Sequence, residues 1–265
     1  MAAPVAVITG ASSGIGEALA RTYASKGFQT VLLARRLDRI EALAKSLSPV
    51  GLAIAADVTR DTDLQQACAT VLEKFGRVDT VVANAGFGVA GAVEKLSVAD
   101  YQRQFDTNVY GVLRTFYAFV GALKQSKGKF GIIGSVNGYI ALNGGSPYAM
   151  SKFAVRALAT SLRYEMQAYG VSVTHIGPGF VKSEIRSVNN RGEHRPGHRD
   201  PIPSWLSMDT LKAARHIYAA IEKRKRERII TGHGKVLVFL QRHFSGLMNL
   251  LIGQLNVTSR SEAKG

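Results

Sequence analysis

The chain has 265 residues, 46% of them hydrophobic, with seven prolines and a formal net charge of +15, which excludes a disordered chain and gives enough length to bury a sizeable core. Its single cysteine, Cys68, excludes an internal disulfide, and Met1 to Gly10 lack the basic start and apolar core of a secretory signal, so a reducing, cytoplasmic setting is expected. The charge alone does not choose between nucleic acid, anionic lipid and a solvated basic surface, but no aromatic residue interleaves with the densest run, Lys223-Arg224-Lys225-Arg226, so nucleic acid is not expected as a partner.

In chain order, a first apolar strand, Val5–Ile8, runs into a glycine turn that opens a helix near Gly14. A second strand, Thr30–Ala34, ends at Arg35 and Arg36 before a helix over Leu37–Ser48. Strand Leu52–Ala55 leads to Asp57 and Val58 and a helix from Asp61, and strand Thr80–Ala83 ends at Asn84-Ala85-Gly86. A long helical segment, Ser97–Ala122, carries Asn108; strand Gly131–Gly134 ends at Ser135, and a helix begins near Pro147. Strand Val171–Ile176 leads to Pro178-Gly179, Val181 and Ser183. Then come an irregular stretch from about 186 to 206, a helix from Ser207 to Lys223, a strand Arg228–Thr231 and an apolar helical tail over about 235–256. Near-continuous apolar strands alternating with helices predict an α/β fold: one Rossmann-type, doubly wound parallel sheet with helices on both faces. No second domain is evident, so residues 1–265 are read as one domain.

The turn Gly10-Ala-Ser12-Ser13-Gly14-Ile15-Gly16 has the chemistry of a pyrophosphate cradle. Glycines permit the tight turn and let an anion approach backbone amides at the positive end of a helix. Where the second strand ends, an NAD-selective site places an acidic group on the adenosine ribose hydroxyls. Here the chain offers guanidinium groups instead, which accept a 2′-phosphate through charge-assisted bonds, so NADP(H) is the expected cofactor, with Arg35 the first choice as its reader and Arg36 the second.

Tyr148-Ala-Met-Ser-Lys152, with Ser135 thirteen residues before the tyrosine, reads as a proton-transfer site. A four-residue helical spacing puts Lys152 one turn from Tyr148 on the same face. A free phenol titrates near 10, and Lys152 together with an oxidised nicotinamide brings it towards working pH. No histidine, cysteine or carboxylate cluster completes a metal site, and no metal is expected.

With these residues in place, the chain resembles the short-chain dehydrogenase/reductase family over about Pro4 to Ser183. Thr9-Gly10-x-x-x-Gly14-Ile15-Gly16 looks like its nucleotide turn, Asp57 like its adenine contact, and Asn84-Ala85-Gly86 like its next nucleotide-side strand terminus. Asn108, Ser135, Tyr148 and Lys152 follow the order and spacing of its catalytic tetrad. Pro178-Gly179 resembles the segment that closes over nicotinamide, with Ser183 where that family often has threonine. The resemblance implies carbonyl–alcohol interconversion by hydride transfer, with Tyr148 moving the proton, Ser135 fixing the oxygen, Lys152 holding the nicotinamide ribose and Asn108 supporting the relay through water. It also implies a homodimer, through the helices starting near Ser97 and Pro147. The competing reading is a protein that binds NADP(H) on this fold as a sensor or membrane-associated regulator, without turnover.

The stretch from 186 to 206 follows the nicotinamide segment and is the expected substrate cover. In the tail, Phe244, Leu247, Met248, Leu251 and Leu255 recur at helical spacing, a stripe that suits core packing, a dimer contact or a lipid surface. Gln241, Arg242 and His243 argue against a membrane span. A hydrophobic ketone or aldehyde is the expected substrate class.

Overall fold

A computed structural model describes residues 2–187, 189–191, 202–246 and 248. Most of the substrate-cover stretch, including His194, Arg195, His198 and Arg199, lies outside the described residues, as do Leu247, Leu251 and Leu255 of the tail.

Seven strands, β1 (Val5–Thr9), β2 (Gln29–Ala34), β3 (Leu52–Ala55), β4 (Thr80–Ala83), β5 (Lys129–Ile133), β6 (Ser172–Gly177) and β7 (Glu227–Ile229), lie in the order β3-β2-β1-β4-β5-β6-β7. Every pairing is parallel. The strand order reverses between β1 and β4, and in such sheets ligands bind at the carboxyl ends of the strands beside that switch point.

The strands are apolar throughout because helices cover both faces. On one face, Leu64 of α3 (Asp61–Phe75), Phe116 and Phe119 of α5 (Gly111–Ser126) and Val155 of α6 (Ser146–Gln167) pack with Val7, Val81 and Phe130. On the other, Leu19 and Tyr23 of α1 (Gly14–Ala24), Ile40 of α2 (Leu37–Lys45) and Ile217 of α7 (Thr210–Glu222) pack on Ile8, Leu32 and Ile176.

Two helices differ from the sequence expectation. The segment from Ser97 is not continuous: α4 (Val98–Phe105) gives way to a π-helical turn, Asp106–Tyr110, before α5 begins. The extra residue accommodates Asn108, whose buried side chain bonds outside its own helix. The tail helix, α8 (Gly232–His243), starts earlier than expected and stops at Phe244, whose φ of −137° and ψ of 50° leave the helical region. This break separates the stripe: Phe244 is exposed, while Met248 is buried against Val238 and Ile140. Among the described residues no helix is long and apolar enough to cross a membrane.

Candidate active site

At the carboxyl ends of β1 to β6, one cavity of about 1380 Å³ runs from Arg35 and Arg36 past Asp57 and Val58 to Ser135, Tyr148 and Lys152. Gly10, Ser12, Ser13, Gly14, Ile15, Asn84, Ala85, Gly86, Pro178, Gly179, Val181 and Ser183 also line it. Two of the residues singled out from sequence, Gly16 and Asn108, stand behind the wall rather than in it, and the structure gives each a supporting task.

Gly16 and Gly10 are demanded by close approach. A Cβ on Gly10 would sit 2.8 Å from the Ala85 Cα, at a φ of +65° that side chains rarely adopt, and one on Gly16 would collide with the Gly10 carbonyl oxygen. Asn84 locks the turn from the neighbouring strand end, donating from Nδ2 to the carbonyls of Thr9 (3.0 Å) and Gly10 (3.2 Å). Thr9, to which the sequence reading assigned no separate task, closes the same junction: its Oγ1 accepts from the amides of Asn84 (3.0 Å) and Ala85 (3.1 Å). Nearby, Asp57 turns the chain after β3, its Oδ1 accepting from the Thr59 amide at 2.9 Å and hydroxyl at 2.8 Å.

Arg35 is exposed at the cavity edge. Arg36 folds onto the glycine turn, with Nε and Nη2 donating to Ser12 Oγ at 3.2 and 2.9 Å and Nη2 to Ser13 Oγ at 3.1 Å. The two arginines and two serines therefore meet at one end of the cavity, a donor set suited to a phosphate monoester.

Pro147, second residue of α6, has the fixed φ that a first helical turn requires, and Tyr148 follows it in that turn, where the helix dipole favours negative charge. Lys152, one turn on, is buried, and its Nζ lies 5.5 Å from the centre of the Tyr148 ring while donating to the Ile133 carbonyl at 2.9 Å. Burial lowers its pKa to about 8, because a desolvated ammonium is disfavoured. Ser135, two residues beyond β5, is 9% exposed and caps the 3-10 turn Val136–Gly138, its Oγ accepting from the Asn137 amide at 3.1 Å.

Asn108 serves both walls of this corner. Its Oδ1 accepts from the Phe87 amide at 3.1 Å, and its Nδ2 donates to the Phe87 carbonyl at 3.0 Å and to Ser151 Oγ at 3.2 Å. Ser151 Oγ in turn donates to the Tyr148 carbonyl at 2.7 Å. The carboxamide thus fixes the loop after β4 and the first turn of α6 relative to each other.

The remaining wall is apolar and was mostly missed from sequence. Phe87, Val89, Ile140, Leu142, Phe180, Leu237, Leu240 and Met248 line it, drawn from four separate stretches of chain. Buried Gln104 shapes the first of these, accepting from the Val89 amide at 2.6 Å and donating to the Phe87 carbonyl at 2.8 Å. His233 holds Phe180, accepting its amide at 3.0 Å. Behind the wall, Glu227 joins α6 to α8, accepting from Arg156 and Arg242, each at 3.1 Å. His175 is buried beside it, its pKa lowered to about 4 chiefly by desolvation, so it stays neutral. Among the described residues no group of three or more His, Cys, Asp or Glu is placed to hold a metal ion.

Residues 4–194 match the family model for short chain dehydrogenases. The chain belongs to that family. An uncharacterised oxidoreductase of Staphylococcus epidermidis is 33% identical over 192 residues, 72% of this chain and 84% of that one. Among solved structures, an alcohol dehydrogenase from the archaeon Thermococcus sibiricus, complexed with 5-hydroxy-NADP, is 31% identical with a TM-score of 0.76, covering 86% of this chain and 96% of that one. A short-chain dehydrogenase/reductase from Burkholderia phymatum in complex with NAD is 25% identical with a TM-score of 0.81, covering 93% and 95%. This short-chain dehydrogenase is accordingly an oxidoreductase using a nicotinamide cofactor, NAD(P)(H). The residues present fit the group: the glycine turn at the start of α1, with Ser12, Ser13 and the arginines, borders one end of a cavity of about 1380 Å³ whose other end reaches Tyr148 and Lys152.

Proposed function

We propose that this enzyme is an NADP(H)-dependent carbonyl reductase or alcohol dehydrogenase acting on an apolar substrate. The observation that carries the reading is the convergence of Tyr148, Ser135 and Lys152 on one cavity that has Arg35, Arg36 and the serine pair at its far end and an apolar wall near the tyrosine. A bound nicotinamide supplies or takes the hydride.

The chain's own groups handle the oxygen and the proton. In reduction, the Tyr148 hydroxyl donates its proton to the substrate oxygen as negative charge develops there, and the Ser135 hydroxyl donates a hydrogen bond that fixes the same atom. Lys152 favours the phenolate left on Tyr148 by its charge and holds the nicotinamide ribose. In oxidation the phenolate accepts the alcohol proton. Asn108 keeps α6 and the loop after β4 in register, and its position beside Ser151 suits a supporting role for a water relay. Burial of the Lys152 ammonium makes this arrangement depend on its proton: above about pH 8 the cation is lost and with it the bias towards phenolate.

Arg35 and Arg36 read the adenosine 2′-phosphate, while Asp57 and Val58 border the adenine end. Phe87, Val89, Ile140, Leu142, Leu237 and Leu240 exclude water from the substrate and select an apolar ketone, aldehyde or alcohol. The chain works as one catalytic unit in the cytoplasm and pairs as a homodimer through α4, α5 and α6, a reading supported by exposed Tyr117, Met150, Phe153 and Tyr164 on the last two. The outer side of α8, with exposed Val236, Phe239 and Phe244 beside Lys235 and His243, makes peripheral contact with anionic lipid. Flotation with anionic vesicles tests that contact, and no binding by the intact chain would reject it.

The deciding experiment is calorimetric binding of NADPH and NADH, paired with oxidation of each across a panel of apolar ketones and aldehydes. Selective NADPH binding with turnover is expected; tight binding without turnover on any carbonyl would overturn the catalytic reading.

A further inference from the structure

The arginine end of the cavity already holds an anion supplied by the chain itself. Glu184 follows Ser183 on the segment beyond β6, across the cleft from β2, and begins a short 3-10 turn, Glu184–Ser187. Its Oε2 accepts from Arg36 Nη1 at 3.3 Å, and its two oxygens accept from Arg39 Nη1 at 3.1 and 3.2 Å. Arg36 meanwhile keeps its other edge on Ser12 and Ser13. One carboxylate thus takes two guanidinium groups from the opposite wall, and these are its only ion pairs among the described residues.

The segment that carries it closes the cleft at this point. A Cβ placed on Gly14 would stand 3.2 Å from the Ser183 Cβ, so the residue before Glu184 lies directly over the phosphate turn. Partial burial pushes the Glu184 pKa up, but the bonds and charges of Arg39 and Arg36 outweigh it and hold the carboxyl below its ordinary range. It is therefore ionised at neutral pH. Glu184, Arg36 and Arg39 all remain partly solvated, so the contacts are exchangeable rather than locked.

We propose that Glu184 is a resident anion standing in the place of the 2′-phosphate, yielding Arg36 and Arg39 when NADP(H) enters and thereby setting cofactor selectivity. This rests on the reading that the β2 arginines take the 2′-phosphate. A phosphate monoester carries about −1.5 to −2 charge and three acceptor oxygens, so it replaces the single carboxylate charge in full. The ribose hydroxyl of NADH brings no charge and leaves the carboxylate on the arginines. Arg39, in the first turn of α2, joins the phosphate site on this view, a role that residue order alone did not suggest.

The test is calorimetric binding of NADPH, NADH and the fragment 2′,5′-ADP to the wild type, Glu184→Gln and Arg36→Ala. Glu184→Gln removes the competing charge at nearly constant shape, and about 3- to 10-fold tighter NADPH and 2′,5′-ADP with little change for NADH is expected, from two partly exposed ion pairs. Unchanged or weaker NADPH binding in a variant that melts as the wild type does would overturn the proposal, as would equal tightening of NADPH and NADH. Arg36→Ala separates the two layers: equal losses for NADPH and NADH would remove the phosphate reading itself. Should Glu184→Gln fail to fold, Arg39→Ala carries the test, and NADPH binding that it leaves unchanged would overturn the role of Arg39 and the exchange with it.

Discussion

The two ends of the cavity are built differently. The cofactor end is a junction of strand termini, where Thr9, Gly10, Asn84 and Ala85 bind one another through backbone groups and short side chains. The substrate end is a collection of apolar side chains from the loops after β4 and β5, the segment after β6, and α8, with Glu227 tying the last of these down through Arg242. The first tolerates almost no added atom, because its neighbours are backbone; the second can lose a side chain and keep its outline. On the proposed function, a common nucleotide meets a fixed frame and the choice of substrate falls to replaceable side chains.

Substitutions at each end should expose this contrast, and the largest effect belongs to the proton path between them. Tyr148→Phe removes the transferable proton while keeping the ring, and turnover should fall by about 10²- to 10⁴-fold with cofactor affinity held within a small factor. Retention of more than a tenth of the wild-type rate in steady-state assays would remove Tyr148 from the proton path. At the rigid end, Gly16→Ala forces a methyl against the Gly10 carbonyl, and about 1–3 kcal/mol of stability together with most cofactor affinity should be lost, measured by urea melts and calorimetry.

Lys152 gives a contrary sign. Its folded pKa of about 8 lies below the ordinary lysine value of 10.5, so the unfolded chain binds more protons between those values. Stability from this group is lowest below pH 8 and rises as pH climbs towards 10.5. Lys152→Met should therefore stabilise the fold at pH 7, by up to about 3 kcal/mol, while abolishing turnover. A lower melting temperature for the variant would show that its bond to Ile133 outweighs the desolvation. His175 has the matching acid limb. Its folded pKa is about 4 against an ordinary 6.5, so its contribution is full above pH 6.5 and is lost as pH falls through 4. Replacement by Phe should flatten that part of the stability profile, provided the Tyr139 hydroxyl, 3.3 Å from Nδ1, keeps Glu227 as a partner.

The smallest effect belongs to the adaptable end. Leu240→Ala should raise KM for bulky apolar carbonyls by about 3- to 20-fold and leave small ones and cofactor affinity nearly unchanged. A uniform loss across substrates would mean that α8 supports the fold rather than selecting the substrate.

Much of the cofactor end could be read from residue order. Gly10, Gly14 and Gly16 follow a strand and open a helix, and the chemistry of such a turn lies in consecutive backbone atoms. Tyr148 and Lys152 share a helix turn, so their meeting needs only helical periodicity. Asn108 was visible as a candidate, yet the π-helical turn that turns its amide onto Phe87 and Ser151 depends on partners 21 and 43 residues away. Gln104 and Glu184 gave no signal, since a glutamine within a helix and a glutamate in a loop are ordinary surface residues until the fold brings a backbone amide or a guanidinium to meet them.

Sequence by itself determined the alternation of buried strands and helices, the glycine turn and the family, because these follow from local spacing and from which groups avoid water. Tertiary structure alone decided that α8 lines the apolar end of the cavity, that Asn108 stands behind the cavity wall and that Glu184 reaches Arg36 and Arg39. Those contacts join segments far apart in the chain, and only the packing of one sheet between two helix layers sets their distances.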